Sequence, residues 1–76
     1  MDTELMMIQM ENDFNELAEQ YDGAAENELL FALGAPDAEA TKLHTQNVVQ
    51  NREMAKFYRH LATRALDLIE TFQEEN

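Results

Sequence analysis

Glycine and proline stand at only three positions, Gly23, Gly34 and Pro36, and neither occurs from residue 37 to the end of the chain. Both residues disfavour helix interiors, so their positions limit where helices can stop. Runs of alternating β-branched residues, which would indicate strands, are missing. The sequence therefore predicts an all-α fold in one domain, residues 1–76, with two shorter helices at about 3–22 and 24–33 and one long C-terminal helix at about 37–73.

Capping residues mark the predicted helix ends. Asp2 and Asp37 are good N-caps for the first and third helices. Gly34 is a natural residue just beyond the second helix. The Asp22-Gly23 pair indicates a turn that ends the first helix. A single glycine can also lie inside a helix at a cost of about 1 kcal/mol, so an unbroken helix through Gly23 stays open.

Apolar residues recur at alternating spacings of three and four, which is the pattern of a coiled-coil seam. In the first helix the seam comprises Met7, Met10, Phe14, Leu17 and Tyr21. In the third helix it comprises Met54, Tyr58, Leu61, Ala65, Leu68 and Phe72, with Ala55, Ala62 and Ile69 widening the stripe. An unbroken third helix would be about 54 Å long, longer than either short helix can cover. We therefore expect a helical hairpin or bundle that dimerises through the third-helix seam.

The seam becomes polar between residues 41 and 53, where His44, Asn47 and Asn51 occupy its positions. One interpretation is a polar layer that fixes helix register or oligomeric state, as a buried Asn does in coiled coils. The other is that this part overhangs into solvent or that the helix bends there.

Charge divides the chain. The formal net charge is −11, with 16 acidic residues against 5 Lys and Arg, and residues 1–41 contain 11 of the acids and no Lys or Arg. Such a chain repels nucleic acid and anionic membranes, and its natural partner is a protein with a basic surface. The basic group Arg52, Lys56 and Arg59 is expected to meet the acidic first half, within a chain or across a dimer.

Catalytic and metal-binding patterns are missing. The chain has no cysteine and no serine, and no acid or histidine stands three or four residues from His44 or His60. No phosphate-binding, dinucleotide-binding or calcium-binding motif occurs, and no apolar run approaches membrane-spanning length. We expect no enzymatic activity, no cofactor, no metal and no membrane, and a cytoplasmic location in a bacterium or a host cell.

An acidic strip is the sharpest candidate for a partner-binding site. It comprises Glu16, Glu19, Asp22 and Glu26. Side chains three or four residues apart on a helix lie about 5–6 Å from each other along one face. A line of negative charge without neutralising lysines resembles a nucleic-acid backbone in its field and can block a basic groove. The alternative is a solvated face that only keeps the protein soluble.

Apolar residues offer a second candidate surface, a possible contact patch of Leu5, Met6, Ile8 and Leu30. Four of the five methionines lie in the first ten residues, and methionines suit adaptable partner contacts. They can also serve as the initiator and as flexible core filling.

Two functions follow as expectations. The first is a non-catalytic acidic regulator or inhibitor, of phage or mobile-element character, that blocks the nucleic-acid-binding surface of its target by charge mimicry. The alternative is a coiled-coil adaptor, assembly chaperone or scaffold that works through its apolar helical surface.

Overall fold

A computed structural model describes residues 2–75, which form two long antiparallel helices. Helix α1 spans Thr3–Leu33 and helix α2 spans Ala38–Glu75. The two helices pack along their lengths into a rod with extents of 59 × 16 × 13 Å. Residues 2–75 contain no strand, and the protein is an all-α helical hairpin.

The predicted break at Gly23 is wrong, because α1 continues through it as one helix of 31 residues. Gly23 has a negative φ and faces open space, so nothing at this position forces a turn. A glycine costs a helix about 1 kcal/mol, and the packing of Ala18 and Ala25 on either side against α2 offsets that cost. The two shorter helices expected from the sequence are therefore one helix.

The outer ends of the turn agree with the sequence. The Gly34 N–H donates to the Leu30 carbonyl at 3.1 Å, which ends α1 without a left-handed residue. The Asp37 carboxylate accepts the Ala40 N–H at 2.8 Å and caps α2 as predicted. At the start of α1, the Asp2 carboxylate accepts the Glu4 N–H at 2.9 Å. Four residues, 34–37, are thus enough to reverse the chain.

Helix α2 is continuous over 38 residues, so it does not break at residues 44–51. His44 contacts Glu28 of α1, which shows that this part of α2 is covered. At 1.5 Å per residue α1 is about 46 Å long and α2 about 57 Å. Because the merged α1 covers most of α2, an uncovered length no longer gives a reason for a dimer.

Small side chains form the contact between the helices. The buried residues among 2–75 are five alanines and one isoleucine: Ala18, Ala25, Ala55, Ala62, Ala65 and Ile69. Alanine lets two helix backbones approach closely, and the half-buried aromatic rings fill the spaces between alanine layers. Tyr58 stacks on Tyr21 and Phe14, with ring centroids 5.6 and 6.2 Å apart.

The seam expected from the sequence is therefore shifted within the hairpin. Tyr58, Ala65 and Phe72 face α1, but Met54 and Leu68 are exposed and Leu61 is half-buried. Ala55, Ala62 and Ile69, expected to widen the stripe, are the buried members. In α1, Met10 is exposed as well. The apolar stripe of each helix is wider than the surface that the other helix can cover. The part of the stripe with the smaller side chains lies in the contact between the helices.

Neither helix contains a segment long and apolar enough to cross a membrane within residues 2–75.

Candidate functional surfaces

The antiparallel register is set by contacts along the whole rod. Tyr21 stacks on Tyr58, and the next residue of each helix, Asp22 and Arg59, forms an ion pair. Near the chain ends, the Gln73 side-chain amide donates to the Glu4 carboxylate at 2.7 Å. In an antiparallel pair with a seven-residue repeat, the positions that flank the seam form two long sides. These two sides of the hairpin differ in chemistry.

One long side is apolar, and we call it the apolar face. The register places Met10 level with Leu68, Leu17 with Leu61, and Ala24 with Met54. Seven of the thirteen exposed large apolar side chains of the described chain lie here. The members of the apolar face are Met6, Met10, Leu17, Ala24 and Phe31 on α1, with Leu43, Met54, Phe57, Leu61 and Leu68 on α2.

Charge is almost missing from the apolar face. Over residues 3–34 and 40–71, the helix positions that form it include only two charged residues, Asp13 and Arg64. These two lie level with each other on opposite outer edges of the face. A sequence with 28% charged residues thus leaves one long side nearly uncharged.

The opposite long side carries both signs of charge, and we call it the charged face. It includes Asp22, Arg52, Lys56 and Arg59. Asp22 and Arg59 form an ion pair that bridges the two helices, with side chains 32% and 52% exposed. Arg59 thereby meets the acidic helix within the chain, as the sequence predicted for its group.

A polar layer crosses the helix contact near the loop. The His44 Nδ1 lies 2.6 Å from a Glu28 carboxylate oxygen, and both side chains are half-buried. The His44 ring also meets Phe31, with centroids 5.6 Å apart. Half-buried Asn51 donates from Nδ2 to the Asn47 carbonyl at 2.9 Å. These residues occupy the helix contact, and a role for them in fixing register stays a prediction.

The acidic strip is divided by the structure. Glu16, Glu19 and Glu26 are exposed on the outer side of α1, and within residues 2–75 none of them has a hydrogen bond or an ion pair. Asp22 differs, because it is half-buried and paired with Arg59. Three of the four predicted carboxylates are therefore exposed without a contact in the described chain, and the fourth is paired with Arg59 of α2.

The predicted apolar contact patch is also divided. Leu5, Met6 and Ile8 line one open concavity of about 380 Å³ near the start of α1. Leu30 is 66% exposed but lies 22 positions further along the helix, about 33 Å away. The structure therefore does not bring Leu30 together with the other three. Met1, part of the methionine cluster, lies outside the described residues.

Reactive groups do not converge on an enclosed site in the described part of the chain. The concavities are open grooves on helix surfaces, and no cluster of three or more His, Asp or Glu side chains in residues 2–75 is arranged to hold a metal ion. The described surface carries exposed charged side chains and exposed large apolar side chains.

Sequence reasoning missed the nearly uncharged side and the level pair Asp13 and Arg64. The sequence contains the pattern that could have revealed this side, because the apolar residues of each helix form two sets that each repeat every seven positions. Choosing between the two sets requires the register of the hairpin, which depends on the unbroken α1.

Comparison with known proteins adds no relative: no protein-family model, no curated protein and no solved structure matches this chain.

Proposed function

We propose that this protein is a non-catalytic, cytoplasmic regulator or inhibitor, of phage or mobile-element character, that binds the basic nucleic-acid-binding surface of a target protein. The acidic outer side of α1, formed by Glu16, Glu19 and Glu26, occupies that surface in place of nucleic acid. A homodimer is part of the proposal.

The observation that carries the proposal is the unneutralised charge of α1. Residues 1–41 contain no Lys or Arg, and Glu16, Glu19 and Glu26 are exposed without a partner in the described chain. Arg52 and Lys56 belong to α2 and lie on the charged face, so the outer side of α1 itself carries acids and no base. Fixed negative charge on a rigid helix accelerates encounter with a basic groove.

Neutralising the three carboxylates tests the proposal. The variant Glu16→Gln, Glu19→Gln, Glu26→Gln leaves the Asp22–Arg59 pair intact and raises the net charge by three. A matched control neutralises three exposed acids on the outer side of α2, in the variant Glu53→Gln, Asp67→Asn, Glu74→Gln. Both variants change the net charge equally, so only the position of the charge differs.

Each protein is immobilised and exposed to cytosolic extract, and the retained proteins are challenged with duplex DNA and with RNA. We expect the wild type and the control to retain a nucleic-acid-binding protein that nucleic acid displaces, and the α1 variant to lose it. Association should slow more than dissociation accelerates. The effect should fade above about 0.5 M salt, where the Debye length approaches 4 Å. Equal retention by both variants at low salt contradicts the proposal.

The alternative is an adaptor or scaffold that binds through apolar surface, and the number of exposed large apolar side chains favours it. Leu30 on the outer side of α1 is the matched probe, since it shares that side with the three carboxylates. If Leu30→Asp abolishes partner retention in a folded protein while the α1 triple variant retains the partner, the adaptor function replaces charge mimicry.

A further inference from the structure

The helix contact of a single hairpin is thin. Its buried residues among 2–75 are alanines and Ile69, and no large side chain in this part of the chain is fully buried. Small domains without disulfides or metal commonly gain stability by association. Large apolar side chains that a larger core would contain are exposed instead, and seven of the thirteen in the described chain lie on the apolar face.

We propose that the apolar face is covered by the apolar face of a second copy, forming an antiparallel four-helix bundle in which α1 of each copy packs on α2 of the other. The two-fold axis runs parallel to the helices, between the two hairpins. This inference rests on the dimer in the proposed function, and it is independent of charge mimicry.

The distribution of charge favours a second copy as the partner and favours the packing of α1 on α2. Of the eleven acids of residues 1–41, nine lie in α1 or at its N-cap, Asp37 caps α2 and Glu39 lies in the first turn of α2, and all Lys and Arg belong to α2. Stacking α1 on α1 would bring together two helices that each carry eight acids and no base, whereas α2 is nearly neutral and carries all five Lys and Arg residues. A nearly uncharged face with one acid and one base on opposite edges is complementary to itself after rotation.

The heights of residues along the rod determine which side chains of the two copies meet. Rotation about an axis parallel to the helices keeps every residue at its height along the rod. Asp13 of one copy therefore meets Arg64 of the other at the edge of the interface, and this happens twice in the dimer. By the same rule Met10 packs near Leu68, Leu17 near Leu61, and the small Ala24 near Met54 of the second copy.

Two leucines on α2 give a matched test of the face. Leu68 is 53% exposed on the apolar face, and Leu66 is 44% exposed on the side of the charged face. Sedimentation equilibrium of the wild type should give a dimer mass. Leu68→Asp should weaken the dimer roughly 100-fold, because it places a carboxylate in the interface. Leu66→Asp should leave the dimer constant within a few-fold.

Cysteine pairing tests the arrangement, because the chain has no cysteine of its own. Asp13→Cys and Arg64→Cys are made as separate proteins, one carrying a mass tag, and are oxidised alone and as a mixture. A disulfide requires Cα atoms within about 7 Å, and positions 13 and 64 of one hairpin lie on opposite edges of its face. We expect a covalent heterodimer from the mixture and no covalent dimer from either protein alone.

Every other outcome overturns the inference. A wild-type monomer, a dimer that survives Leu68→Asp, or a disulfide formed by either single variant alone contradicts the proposed face or arrangement. A monomer that binds a different protein through Leu68 assigns the face to another partner. The Glu16, Glu19, Glu26 triple variant separates the two proposals, since it should lose its target and keep the dimer mass.

Discussion

The apolar face and the charged face belong to the same two helices and differ only by a rotation about each helix axis. On one, Leu17 and Leu61 lie level in a nearly uncharged surface; on the other, Asp22 and Arg59 pair across the hairpin. Between them runs a contact made mainly of alanine. The comparison teaches that small side chains at the seam suffice for the hairpin contact, while the positions that flank the seam leave one nearly uncharged side and one side with both signs of charge.

The largest effect is expected from placing charge on the apolar face. Leu61→Asp should lower the free energy of unfolding by about 3 kcal/mol or more and dissociate the dimer, since Leu61 is half-buried beside the seam. Urea unfolding followed by circular dichroism measures the change. Thr63→Asp, at an exposed position of the same helix, is the control and should change stability by less than about 0.5 kcal/mol. An equal loss of unfolding free energy in both variants would contradict the proposed difference between the apolar face and the rest of the α2 surface.

Substitutions at two adjacent alanines should distinguish the helix contact from the apolar face. Ala25 is fully buried between the helices, so Ala25→Leu should force them apart and cost about 1–3 kcal/mol. Ala24 is half-buried on the apolar face, where the other helix of the same hairpin does not enclose it, so Ala24→Leu should lower the free energy of unfolding by less than Ala25→Leu does. Thermal unfolding of the two variants provides the comparison. A stabilised Ala25→Leu protein would show that the seam is loosely packed.

The outer side of α1 should respond in the opposite direction. Gly23 lies in the middle of α1 with negative φ and no atom near its absent Cβ. Gly23→Ala should therefore raise the free energy of unfolding by about 0.5–1 kcal/mol through better helix propensity. Chemical denaturation measures this gain. A loss of stability would mean that the helix is broken at Gly23, as the sequence first suggested.

The charged face should contribute least. Because Arg59 is 52% exposed, the Asp22–Arg59 pair is a surface ion pair worth about 0.5 kcal/mol. A double-mutant cycle of Asp22→Asn and Arg59→Gln at low salt should give that coupling energy. The coupling should shrink at high salt, and a coupling energy that salt leaves unchanged would indicate a buried pair.

The sequence predicted the helical class, the turn at residues 34–37 and the cap of Asp37, because these features depend on local chemistry. It failed at Gly23, where the tertiary contact of Ala18 and Ala25 outweighs a local helix-breaking preference. The choice of seam failed for a related reason. The pattern gave Met54 and Leu68 the seam positions, but the packed helices leave both exposed and bury their neighbours Ala55 and Ile69.

For the candidate site, the sequence identified the acidic residues of α1 but not which of them are neutralised. Asp22 and Glu19 look alike in the sequence, and only the helix register pairs Asp22 with Arg59. A contact between residues 37 positions apart cannot be inferred from local spacing.

The short turn also orders the steps of folding. Glu28 and His44 are separated by 16 positions, Asp22 and Arg59 by 37, and Glu4 and Gln73 by 69. The entropy lost in closing each contact grows with that separation. We therefore expect contacts between the helices to form first beside the turn and then progressively towards the chain ends. Opening should follow the reverse order, and backbone amides beside Glu4 and Gln73 should exchange with solvent sooner than those beside Glu28 and His44.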